Sequence, residues 1–136
     1  MKALGTLLKV AKRDLETLRR ALADAQARQG AVEQGVAALD ARVAAERASV
    51  AGDALALLTF HAYAERMRVD RRVMIAEVAL AAAECERLRA LITAAHVETR
   101  KFERLIERER ERERQAAAKR EDAELDEMAT MRAGRR

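Results

Sequence analysis

The sequence predicts an all-α protein, a two-helix antiparallel coiled-coil hairpin with an overhanging C-terminal helix. Three observations predict it. Two apolar stripes, each about 47 residues long with alternating steps of three and four, run through the chain. One short break containing Gly52 and Asp53 separates them. Proline is absent from all 136 residues, and the strong helix formers Ala, Leu, Arg, Glu and Lys fill most positions. Arms of equal length can fold back so that each seam is buried in the other. At about 1.5 Å per residue such a rod would measure roughly 70 Å.

The first arm, residues 1–50, carries its seam on Leu4, Leu8, Ala11, Leu15, Leu18, Leu22, Ala25, Gln29, Val32, Val36, Leu39, Val43, Glu46 and Val50. Only Gln29 and Glu46 are polar. Gly30 and Gly35 each cost about 1 kcal/mol of helix propensity relative to alanine and mark a soft place. A turn region, residues 51–59, follows. There Ser49 and Gly52 loosen the first helix, and Asp53 can cap the next by accepting backbone N–H bonds. Leu55, Leu57 and Leu58 come immediately afterwards, too dense for one seam. They either cap the hairpin end, the expected role, or form an exposed contact patch.

The second arm, residues 60–106, runs its seam through Phe60, Ala64, Met67, Arg71, Met74, Val78, Ala81, Cys85, Leu88, Ile92, Ala95, Thr99, Phe102 and Ile106. Arg71 and Thr99 are its polar exceptions. Gln29, Glu46, Arg71 and Thr99 fix a register more readily within a hairpin than in a parallel dimer, which predicts a monomer in isolation. From Glu107 to Arg114 the pattern becomes strict Glu-Arg alternation, and no apolar face remains. On a helix this sets opposite charges at i,i+3 and like charges at i,i+4, leaving a net support of a few tenths of a kcal/mol. The charged extension, residues 107–136, is therefore read as a solvated helix overhanging the end of the first arm. Leu125, Met128 and Met131 then restore a sparse apolar line at three-residue steps. Nothing is left in the chain to bury it, so it is a docking surface or a frayed end.

Composition argues against most other classes. With two Phe, one Tyr and no Trp, the chain lacks the large anchors of a compact core, and alanine in a seam brings helices close without burying much area. The balance of 27 basic and 23 acidic residues leaves +4. Residues 1–50 hold nine basic and six acidic side chains, and Lys2, Lys9, Lys12, Arg13, Arg19 and Arg20 make the opening turns basic. No aromatics interleave with them to stack bases, so an acidic protein surface is the expected target and nucleic acid is not.

Cys85 falls on the second seam as a small apolar filler, with no second cysteine to bridge to. His61 and His96 have no acid at ligand spacing, so no metal is expected. No cofactor is expected either. There is no glycine-rich phosphate loop, no G-x-S-x-G and no Cys-His pair, and a two-helix rod offers no concave site, so no catalytic residue is assigned. The apolar residues between Leu4 and Val10 are interrupted by Gly5, Thr6 and Lys9, and no run reaches transmembrane length. The chain reads as cytosolic.

Three features in order give the sequence a resemblance. They are an opening L-x-x-L from Leu4 to Leu7, the aromatic pair Phe60 and Tyr63 after the turn, and a C-terminal K-R-E-D-A-E-L-D-E-M-A. The last contains a D-E-hydrophobic-A element, Asp126, Glu127, Met128 and Ala129, after a charged run. On these the chain resembles the FliJ family, the coiled-coil component of the flagellar type III export apparatus, over essentially its whole length.

The resemblance implies a stalk similar to that of rotary ATPases. The end with both termini would enter the hexameric export ATPase, and the shaft nearer the turn would touch the cytoplasmic domain of the membrane export gate. Escort of export chaperones is implied as well, at a cytoplasmic location peripheral to the inner membrane at the flagellar base. Lys9, Lys12, Arg13, Leu125, Asp126, Glu127 and Met128 are the ATPase-facing candidates. Tyr63 and Met67, with Leu39 on the facing helix, match the gate-facing positions, although Tyr63 also reads as a half-buried seam neighbour. The pattern departs near Leu39, where Arg42 and Glu46 stand in place of aromatics. Two rival readings are the equivalent stalk of an injectisome and a structural coiled-coil adaptor.

Overall fold

A computed structural model of the chain describes residues 2–135, and among them the backbone forms two α-helices and no strand. Helix α1 spans Lys2–Ser49 and α2 spans Ala54–Gly134. The fold class is the all-α helical hairpin that the paired stripes predict.

The link between the helices is shorter than the sequence suggests, because its residues close it at once. The Ser49 hydroxyl and the Val50 N–H both donate to the Glu46 carbonyl, at 2.8 and 3.2 Å, ending α1. The Asp53 N–H then donates to the Val50 carbonyl at 3.2 Å, closing a four-residue turn with Gly52 at φ +86°. Only glycine takes that third position without strain. Asp53 caps α2, its Oδ1 accepting from the N–H groups of Leu55 at 3.1 Å and Ala56 at 3.2 Å. Residues 54–59 are therefore helical rather than part of the turn.

The chain divides into two compact units, one of Met1–Leu15 with Ala94–Arg136 and the other of Glu16–Thr93. In the second unit α1 and α2 pack antiparallel. Asp40 meets Arg71, Gly35 lies against Met74, and Ala25 packs with Cys85 and Leu88, so partners climb α2 as they descend α1. The core is thin and made of small residues. Cys85 is fully buried, Ala25 and Leu88 nearly so, and Leu18, Ala21 and Leu22 pack around them. At Gly35 the approach is so close that an added Cβ would stand 2.9 Å from the Met74 terminal methyl.

Every seam residue of this unit is buried or half-buried except Glu46 and Arg71. Both are charged, and leaving water unpaired would cost them more than the seam returns. Arg71 instead turns outward and holds Asp40 across the seam with two bonds, at 2.9 and 3.3 Å. Gln29 stays half-buried by donating to Glu33 at 3.1 Å.

In the first unit Leu4, Leu8, Ala11 and Leu15 share burial with Ala95, Thr99, Phe102 and Ile106, and Lys12 lies 3.9 Å from Glu103. The buried Thr99 hydroxyl donates to the Ala95 carbonyl at 3.0 Å, which removes the cost of its polar seam position. Beyond Glu109 every described residue is exposed. The helix continues there on its own ion pairs: Arg112 with Glu109 at 3.6 Å, and Arg114 with both Glu111 at 2.8 Å and Glu107 at 3.0 Å.

Candidate partner-docking surfaces

In the first unit the ATPase-facing candidates fall into two groups. Lys9, Lys12 and Arg13 are exposed on α1, where Lys12 is partly engaged by Glu103. Leu125, Asp126, Glu127 and Met128 are exposed on α2, with Leu125 63% and Met128 56% accessible and Met131 extending the line at 60%. With Lys12 beside Glu103 in an antiparallel pair, Lys9 falls opposite about residue 106, so roughly 30 Å of helix separates the groups. They are two separate surfaces rather than one. The apolar line is held in helical spacing by the uninterrupted α2, and the Thr130 hydroxyl donates back to the Asp126 carbonyl at 2.9 Å within it.

In the second unit the three gate-facing candidates differ in access. Leu39 is only 3% exposed, so it can support a contact but not make one. Half-buried Met67 lines a shallow groove with Leu39, Val43, Ala64 and Arg68. Tyr63, also half-buried, lines a separate groove of about 470 Å³ with Glu46, Val50, Phe60 and Arg66. The Phe60 and Tyr63 rings are tilted at 44° with centroids 6.2 Å apart, and the Arg47 guanidinium sits 5.7 Å over the Phe60 ring. This half-buried aromatic pair with its cation is a feature of the surface.

The leucines after the turn correct an expectation. Leu55 and Leu58 are 78% and 71% exposed and Leu57 is also exposed, so they do not cap the hairpin end but stand in water. Asp53 and Gly52 already close that end through the backbone, leaving Leu55 and Leu58 on the outward face of the first turns of α2. Farther along the same face Val69, Val73 and Leu80 are exposed, interleaved with Ala62, Ala76 and Ala83. The seam reading passed over this second line. It was legible as apolar residues at 55, 58, 62, 69, 73, 76 and 80, a helical spacing offset from the buried stripe.

The electrostatics are those of a solvated coiled coil. Arg71 is held protonated by its hydrogen bond and charge pairing with Asp40, and Arg87 likewise by Glu84. The Glu84 carboxyl is pulled below its ordinary range, chiefly by the hydrogen bond from Arg87. Among the described residues no group of three His, Cys, Asp or Glu side chains could hold a metal ion. No helix is long and apolar enough to cross a membrane, again among those residues.

No curated protein and no solved structure significantly matches the chain. The sequence model of the flagellar FliJ protein family matches residues 1–136. That match spans both helices, the capped turn and the exposed C-terminal line, and the chain therefore belongs to the FliJ family, structural components of flagellar type III export.

Proposed function

We propose that this protein is the stalk of the flagellar export machine, linking a hexameric export ATPase to the export gate. The observation that carries the reading is the C-terminal stretch of α2. From Arg110 to Gly134 it is exposed all round, yet it keeps an apolar line on Leu125, Met128 and Met131. Such a line, without a partner among the described residues, is suited to a protein channel that closes around it. The mechanism is mechanical and electrostatic. Ring states that grip this helix differently would be biased through the ATPase cycle by their difference in affinity, with no chemistry from the stalk.

The gate-facing surface in this reading lies on the second unit. Tyr63 and Met67 supply half-buried contacts, buried Leu39 supports them from α1, and exposed Val69 and Val73 widen the apolar area. Export chaperones are further candidates for the exposed faces, and the protein would sit at the cytoplasmic side of the inner membrane at the flagellar base.

The test is the ATP hydrolysis rate of the cognate flagellar export ATPase with and without this protein, at varied salt. Saturable stimulation, lost on deleting residues 116–136 and in the double substitution Leu125→Asp with Met128→Asp while helicity stays intact, supports the stalk. Absence of stimulation at every salt concentration from a folded helical protein moves the function to a gate or chaperone adaptor.

A further inference from the structure

Two exposed patches of this chain are complementary to each other. The first is the outward line of α2 in the second unit, where Val69 and Val73 are 52% and 56% exposed. Around it, residues 66–72 hold four arginines, Arg66, Arg68, Arg71 and Arg72, against one acid, Asp70. Arg68 and Arg71 are engaged by Glu65 and Asp40. Arg66 and Arg72, which flank the valines, are in no ion pair among the described residues.

The second patch is the Leu125, Met128 and Met131 line. Residues 121–127 hold five acids, Glu121, Asp122, Glu124, Asp126 and Glu127, and no base. At 100° per residue Glu121 and Glu124 share the face of Leu125 and Met128, with Arg132 following beside Met131 at its far end, and among the described residues neither carboxylate is in an ion pair.

We propose that these patches bind each other between copies: the acidic apolar tail of one molecule lies on the arginine-flanked valine line of a second. Each alone is an unsatisfied helix face. Together they place apolar against apolar, with two free carboxylates meeting two free guanidinium groups, the pairing that adds orientation and encounter rate. A few partly exposed aliphatic side chains on each side cannot reach the roughly 1,200 Å² of a standard interface, so the association is weak and reversible, with a Kd on the order of 10⁻⁴ M. The chain is then monomeric when dilute and self-associates where it is concentrated. Because the patches are different parts of the chain, the contact is heterologous and can add copies head to tail. The inference stands on the exposure and charge of both patches, and a second copy would compete for them with the partners of the stalk reading.

The experiment is sedimentation of the full chain from about 10 µM to about 1 mM, at roughly 0.05 M and 0.5 M salt. The expected result is an average mass that rises reversibly with concentration at low salt and falls back at high salt. Arg66→Glu with Arg72→Glu and, separately, Glu121→Lys with Glu124→Lys should each weaken association at least about tenfold, since each sets like charges face to face. An equimolar mixture of the two variants should associate again, because each tail then finds a face of opposite charge on the other variant. A mass that stays monomeric throughout, association unchanged by salt or by either variant, or a mixture that fails to recover would each overturn the proposal. Concentration-independent contact of a tail with its own chain, seen by cross-linking of the dilute protein, would overturn it too.

Discussion

Shortening Leu88 to alanine tests how the second unit is held together. Leu88 is 4% exposed and packs with Ala25 and the fully buried Cys85. The substitution removes three buried carbons, about 2.4 kcal/mol of transfer free energy at about 0.8 kcal/mol each. In a globular core a cavity would raise the loss toward 5 kcal/mol. Here Leu18 and Leu22 are only half-buried beside it and can lean into the space, so the expected loss is about 2–3 kcal/mol.

Cys85 supplies the assay, because its thiol can meet a reagent only when this part of the seam opens. Under conditions where opening is in rapid equilibrium, a loss of that size should speed thiol labelling about 30- to 150-fold. Leu80→Ala is the control. At 72% exposed it should change stability by no more than about 0.5 kcal/mol and labelling by about twofold. Equal effects from Leu80→Ala and Leu88→Ala, or wild-type labelling as fast as that of an unprotected thiol, would refute the seam described here.

Four further predictions concern glycines, acid and salt. Gly30→Ala meets nothing within 4 Å and should raise thermal stability by about 0.5–1 kcal/mol, while Gly35→Ala should gain less because the Met74 methyl must first move; paired melts distinguish them. Gly52→Ala should lower stability by at least about 1 kcal/mol in the same melts, since φ +86° is strained for any side chain. Glu84 has its pKa lowered in the folded state, so its contribution is present above the ordinary glutamate range and is lost as pH falls through the depressed value. Acid melts of wild type and Glu84→Gln should therefore converge at low pH and diverge near neutrality, and parallel curves would remove Glu84 from the account. The exposed Asp40–Arg71 pair should show, in a double-mutant cycle, a coupling that shrinks as salt is raised.

Much of the fold was legible in the sequence because a coiled coil is a periodic object. The alternation of three and four identifies the buried stripe directly, and within the second unit only charged Glu46 and Arg71 leave it. Turn length was not legible in the same way. Ser49, Gly52 and Asp53 each signal a break, but only their joint geometry, a positive φ followed at once by a two-bond cap, shows that four residues suffice and that α2 begins at Ala54. The exposure of the candidate docking residues was legible in part. Leu125 and Met128 stand out because no seam remains for them, whereas Leu39 and Tyr63 sit in similar apolar patterns and differ only in what covers them.

The sequence by itself determined the helices, the buried face of each and the charge run that ends the seam. Those properties follow from local propensity and periodicity, which neighbours three and four residues away settle. Only the tertiary structure decided which α1 residue meets which α2 residue, that Arg71 leaves the seam to hold Asp40, and that Leu55, Leu58, Val69 and Val73 stay in water. Exposure depends on what lies across the gap, and the neighbour across the gap here is some thirty to ninety residues away in the chain.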